Sequence, residues 1–403
     1  MRINYKTAFG YAYVHFAMEV MCFFFLYTVF GHAGSYIWWM MAMVYDCLAF
    51  ALQPAAGTIS ERFPRFSPGL FGGALIIAGA AMGLAAYHPL LSVLRTATAS
   101  GATAEQGLYE AFFRGLHTGM TAPGRSIFLF GAVILGLVIL SVGNAFLHIA
   151  GALATLRASE GRMSESGIFV GAGAFGVITG RMLAGAVDTA GESAGAAAGT
   201  VLPFLLMAAA LVTVWLLEKG SSRASFDEEP CLHDTAGERP AWVVITVLAA
   251  IVAVRSYISN GIPMDWNKTK VQLVMLFIVM GAGKMAGGVL ADLFGARLVG
   301  TLTCILAIPF LLAGADIMWL SLIGIALFSM TMAIALAGIV SVMRRTPGTA
   351  FGITTLALFL GTLPVAFFGV PGRGACVALI IIMSLASAAG MIYTLKDRSR
   401  AGR

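Results

Sequence analysis

The chain has 403 residues, 59% of them hydrophobic and only 11% charged, with a mean hydropathy of +0.89. No soluble domain of this size carries so much apolar surface, so its solvent is a lipid bilayer. The net charge of +6 is scattered over short loops rather than gathered in a patch, so it does not point to nucleic acid.

Inside lipid every backbone polar group must be paired internally, which leaves helices or a closed barrel. The apolar runs are about 20 residues long and do not alternate, so an all-α integral membrane protein is predicted. Twelve spans are expected near residues 7–30, 34–58, 69–88, 126–155, 166–188, 200–217, 241–259, 271–291, 298–314, 317–342, 349–369 and 374–395. The leading MRINYK runs straight into the first span without a small-residue cleavage site, so that span is read as retained.

Along span one, Tyr11, His15 and Glu19 recur every four residues and share one polar face. Glu19 lies twelve residues into its span, and Asp46 twelve residues into span two from the other side. At about 1.5 Å per residue, both fall near the midplane. The segment 89–125, between spans three and four, is long for a connection. Its Leu108, Phe112 and Leu116 lie opposite Glu105, Gln106 and Glu110, which predicts an amphipathic helix on the outer surface.

Span four carries Ser141, Asn144 and His148 as a second polar stripe. Span five holds Gly167, Gly171, Gly176 and Gly180, two G-x-x-x-G pairs suited to close helix packing, followed by Arg181. Residues 218–240 are polar and punctuated by Pro and Gly, and read as a cytoplasmic linker between bundles 1–217 and 241–403. Arg255 and Ser259 share a face of span seven, and Lys284 lies thirteen residues into span eight. Ionisable residues at this depth are costly and face a bundle interior or a watery cavity. Glu19, Asp46, Arg181, Arg255 and Lys284 are therefore read as the rim of a central cavity.

Lys and Arg number sixteen in the N-terminus, even loops and C-terminal tail, against six in the odd loops. The positive-inside rule then places both termini in the cytoplasm, in an inner (cytoplasmic) membrane. The five cysteines show no paired spacing, so neither a disulfide nor a metal knuckle is expected. No nucleophile–base pair, His-x-x-x-His or phosphate loop occurs, so no enzyme and no cofactor are predicted.

The stretch GAGKMAGGVLADLFGAR, Gly281 to Arg297, sets Gly288 four residues before Asp292. A second copy, GTISERFPR, sets Gly57 four residues before Glu61 and Arg62; both pairs share an offset of 231 residues. Such a repeat points to two related halves. The pattern resembles the loop signature of the major facilitator superfamily, which implies two pseudo-symmetric six-helix bundles. It also implies that Gly57, Glu61, Arg62, Gly288, Asp292 and Arg297 form a conformational latch, its acids pairing with basic residues and capping helix ends. GNAFLHIAG in span four and VAVRSYISN in span seven are similar to segments of the fosmidomycin-resistance-type exporters, although Ile149 replaces the usual Pro and Gly180–Arg181 replaces Gly–Pro.

The expected function is secondary transport of a small organic anionic or amphipathic solute by alternating access, proton-coupled and favouring efflux. Glu19, Asp46 and His15 are the candidate proton carriers. Arg255, Lys284, Arg181, His148, Asn144 and Tyr11 are the candidate cavity residues, Arg255 foremost because guanidinium grips carboxylate or phosphonate in a fork. Each acid has the alternative of simply pairing with a cavity cation. A lipid or lysolipid flippase and, from the 21 methionines, a metal carrier are the rival functions. The partners expected are solute, protons and bilayer, with a monomer sufficient.

Overall fold

The computed structural model describes residues 5–31, 35–63, 65–98, 123–191, 194–220 and 235–397. Its spans are α1 (Tyr5–Phe30), α2 (Ser35–Asp46, a π-helical turn Cys47–Ala51, then Gln53–Arg62), α3 (Pro68–Thr98) and α4 (Pro123–Ala158). They continue as α5 (Ser164–Ala190), α6 (Ala194–Gly220), α7 (Ala241–Gly261), α8 (Lys270–Phe294) and α9 (Ala296–Ala313). The last are α10 (Met318–Ser329 and Thr331–Val342), α11 (Pro347–Phe368) and α12 (Arg373–Thr394). Eleven of these are long and apolar enough to cross a membrane as they stand, and the interrupted α2 completes twelve.

The apolar pattern of 34–58 predicts one unbroken helix, and α2 is broken for a local reason. Pro54 has no N–H to continue the ladder and sits in the first turn of the helix that restarts there. The Gln53 side chain donates to the Ala49 carbonyl at 2.7 Å, and the π turn absorbs the mismatch. This turn faces the other half of the molecule, where the Thr355 hydroxyl of α11 donates to the Phe50 carbonyl at 3.3 Å.

The helices pair within two bundles, α3 on α4 and α1 on α5 and α6 in the first, α7 on α10, α11 and α12 in the second. Between bundles, α5 packs on α8, and the inner part of α2, with α4, packs on α11. The outer piece of α2, Ser35–Asp46, packs instead on α1 and α4 of its own bundle. The two bundles are thus joined along the end that carries the repeated turns.

Glycine sets these approaches. A Cβ on Gly171 would lie 2.6 Å from the Gly281 carbonyl, and one on Gly281 2.8 Å from that of Gly171. Gly176 and Gly180 face α1 instead, at the carbonyls of Phe16 and Val20. The glycine series of α5 is therefore divided between two neighbours. The amphipathic helix expected around Leu108, Phe112 and Leu116 lies outside the described residues, as does 221–234 of the linker. The linker's end is tied down: Ala236 forms an antiparallel bridge with Leu395, and the Gly237 N–H donates to the Thr394 carbonyl at 2.8 Å.

Candidate functional site

A buried polar cluster fills the interior of the first bundle. It begins with a glycine: a Cβ on Gly173 of α5 would lie 2.3 Å from His15 Nε2, so only glycine leaves room for this imidazole. His15 Nδ1 donates to the Phe169 carbonyl at 2.7 Å. His148 Nδ1 faces the Asn144 side-chain oxygen at 2.7 Å and the Asn144 carbonyl at 3.3 Å. These partners are acceptors, so both rings carry hydrogen on Nδ1.

That assignment has a chemical consequence. The two Nε2 atoms are 2.8 Å apart. Two bare lone pairs repel at this distance, so the spacing suits a hydrogen bond between the imidazoles in which one Nε2 carries hydrogen. Glu19 supplies the opposing charge, its Oε1 at 3.5 Å from His148 Nε2 and 3.7 Å from His15 Nε2. Asn144 Nδ2 donates to the Tyr45 hydroxyl at 2.9 Å, and that hydroxyl lies 3.4 Å from Glu19 Oε2. All five side chains are buried. Phe50 and Phe169 flank the rings, and Phe351 reaches across from the second bundle to lie 6.3 Å from His148.

The donor atoms of His15, Glu19 and His148 lie within 4.8 Å of one another, and by type this set also suits a transition metal. Lys284 of α8 is within electrostatic range of both Glu19 and His148.

On the second bundle, Arg255 is 4% exposed, and its Nε and Nη2 have no hydrogen-bond partner among the described residues. Lys284 interacts electrostatically with Arg255 as well as with Glu19, so it stands between the two bundles' charges. The remaining cavity candidates are dispersed. The Arg181 guanidinium sits 4.7 Å over the Tyr27 ring, which packs on Trp38. Tyr11 is buried one turn before His15, and its electrostatic neighbour is Glu218 of α6. Asp46 lies at the α-to-π break, half-buried, with no hydrogen bond or ion pair among the described residues. Its field reaches Glu19, but it does not touch the cluster.

The repeated turns give a second, symmetric arrangement. Asp292 at the end of α8 accepts from the N–H groups of Met163 and Ser164, at 2.8 and 2.9 Å, capping the start of α5 in the opposite bundle. Glu61 at the end of α2 accepts from the Gly348 N–H at 2.6 Å and the Thr349 hydroxyl at 2.8 Å, capping α11. Each carboxylate meets the positive end of a helix dipole. Gly57 and Gly288 permit the approach: Cβ atoms there would lie 2.5 Å from the Gly348 carbonyl carbon and 2.4 Å from the Met163 oxygen.

The basic members of the signature lie elsewhere. Arg62 is exposed, and Arg297 bonds Asp397 of the tail at 2.6 Å rather than Asp292. Each acid caps a helix end, and the basic electrostatic neighbour of Glu61 is Arg157 of α4. Sequence reasoning missed Gly173, Tyr45 and the buried Arg162–Glu165 pair, whose guanidinium and carboxylate are 2.8 Å apart beside the Asp292 cap. An acid in the first turn of α5 was the available signal for the last of these.

No family model and no curated protein matches the chain. Solved structures do. A bacterial homologue of the iron transporter ferroportin in an outward-facing state superimposes with a TM-score of 0.59 at 13% identity, covering 98% of each chain. The same homologue with soaked iron gives 0.59 at 14%. The fucose:proton symporter of E. coli gives 0.57 at 14%, covering 97% of this chain and 98% of that one. These neighbours are transporters. Twelve spans in two six-helix bundles, joined by paired caps, make this the major facilitator fold.

Proposed function

We propose that the protein is a secondary transporter that carries a small organic anion by alternating access, coupled to a proton held by His15, His148 and Glu19. The observation that carries this reading is Arg255, a buried guanidinium with two nitrogens unpartnered among the described residues and with Lys284, on the helix that packs against the first bundle, as its electrostatic neighbour. Leaving such donors unpaired is costly, and a carboxylate or phosphonate would satisfy them in a fork. The fold supports transport, because repeat-built bundles rock about a midplane site. The likeness of α4 and α7 to exporter segments favours export, in which anion and proton leave together down the anion's own gradient.

Proton coupling is assigned to the imidazole pair with Glu19 as its counter-charge, and Asp46 is a secondary acid outside this cluster. When the bundles part, Lys284 moves relative to Glu19. A carboxylate freed of Lys284 holds the imidazole proton more firmly and one paired with Lys284 holds it less, which ties proton binding and release to the conformational change.

The test is thermal unfolding of the purified protein at two pH values against carboxylates, phosphonates, cationic drugs, lysolipids and divalent metals. A ligand of the native state raises the midpoint by mass action. Organic anions are expected to stabilise, Arg255→Gln to remove that shift, and Glu19→Gln to remove its pH dependence. Stabilisation by lysolipids or metals alone would reject the anion reading.

A further inference from the structure

A groove of 740 Å³ opens between α7, α9 and α12 of the second bundle, at the membrane end that carries the repeated turns. Arg239 and Arg297 stand at its mouth, with Tyr393 between them and Val247, Ala389 and Gly390 lining the slot that runs toward the membrane interior. The three polar groups come from separate parts of the chain: the approach to α7, the start of α9 and the end of α12. We propose that this groove binds a phospholipid of the bilayer through an anionic headgroup, with an acyl chain along the apolar slot.

Charge, depth and preorganisation each support that occupant. Two guanidiniums offer planar forks that match phosphate oxygens, and basic pockets between transmembrane helices on one leaflet are suited to anionic headgroups. Trp242, 70% exposed in the first turn of α7, and Tyr393, 49% exposed, are aromatic side chains of the kind that sit at headgroup level. The Arg239 guanidinium lies 4.2 Å over the Tyr393 ring, which holds it at the mouth.

The backbone fixes both walls, since the Ala236–Leu395 bridge and the Lys396 N–H donation to the Thr235 carbonyl at 2.9 Å clamp the approach to α7 onto the end of α12. Arg297 is held by Asp397, but that carboxylate is 79% exposed and sits in the tail beyond α12. A phosphate can displace it at small cost, as exposed ion pairs contribute little. Arg297 follows the α8–α9 turn whose Asp292 caps α5, so a bound lipid would rest beside the latch.

The experiment titrates detergent-purified full-length protein with phosphatidylglycerol, phosphatidylcholine or free glycerol 3-phosphate, counting bound lipid by native mass spectrometry and reading the unfolding midpoint. Phosphatidylglycerol is expected to bind one site and raise the midpoint, with neither phosphatidylcholine nor glycerol 3-phosphate doing so. At about 1 kcal/mol for each cation, Arg239→Gln with Arg297→Gln should weaken that binding about thirtyfold. Ala386→Trp, which keeps both arginines and fills the slot, should abolish it. Arg62→Gln, an exposed charge on the same side away from the groove, should leave it unchanged. Equal binding of the two lipids, undiminished binding by the double variant or the Trp variant, or equal stabilisation by glycerol 3-phosphate would each overturn the proposal.

Discussion

Replacing Asp292 by Asn tests whether the paired caps hold the bundles together at the end that carries the turns. The carboxylate accepts two backbone N–H groups of α5, at 2.8 and 2.9 Å, and belongs to the other bundle. Asn preserves the shape but keeps one acceptor; its amide NH₂ then opposes a second N–H. One hydrogen bond to a charged group, worth about 1.5–3 kcal/mol, is lost. The interaction of a full negative charge with the helix N-terminus, about 0.3–1 kcal/mol, goes with it. The sum, roughly 2–4 kcal/mol, shifts the closed-to-open ratio by about thirty to nine hundredfold. Spin labels at Arg62 and Thr346, exposed on facing bundles, read that ratio as two distance populations. Asp292→Asn should move population to the longer distance, and Glu61→Gln should do the same from the symmetric position. A ratio unchanged in both variants would refute the reasoning.

Three further outcomes follow from the same geometry. Gly288→Ala places a methyl 2.4 Å from the Met163 oxygen, so the backbones must part. The same label pair should report an opening bias of about 1–3 kcal/mol, the usual cost of overpacking. Glu165→Gln breaks a buried ion pair with Arg162, and the unfolding midpoint should fall by the equivalent of about 3–5 kcal/mol. Arg373→Gln removes a contact with Asp265 and Asp316 among groups about 60% exposed, and the midpoint should stay where it is.

The twelve spans and the two-bundle architecture were legible in the sequence because lipid imposes a length and a composition that few other constraints do. The repeat of Gly57 and Glu61 at Gly288 and Asp292 was legible for a related reason: a helix end that must be approached closely needs glycine, and its N–H groups need an acid. What these acids would meet was not. Backbone N–H donors leave no trace in side-chain spacing, so the ends of α5 and α11 could not be named from it. The break in α2 was hidden because an apolar run conceals a change of hydrogen-bond register, and only Pro54 marks it. Helical periodicity placed His15 with Glu19 and Asn144 with His148, each on one face. It could not show that Gly173 lets the two faces meet, since that space is created by a third helix.

The arrangement also explains why the polar residues divide as they do. The imidazole pair, Glu19, Asn144 and Tyr45 satisfy one another inside the first bundle, where burial makes an unpaired polar group expensive. Among the described residues, nothing on the second bundle satisfies Nε and Nη2 of Arg255. A charge network closed within one bundle would be indifferent to rocking, and so would an anion site closed within the other. Lys284 removes that indifference, because its field acts on Arg255 in its own bundle and on Glu19 in the facing one. On the proposed reading, an anion arriving at Arg255 draws Lys284 toward itself and weakens its hold on Glu19. The carboxylate is then left to the imidazole pair, which retains its proton more firmly. Anion and proton would therefore bind with mutual reinforcement, and the coupling free energy would be the part of the Lys284–Glu19 attraction that the anion removes.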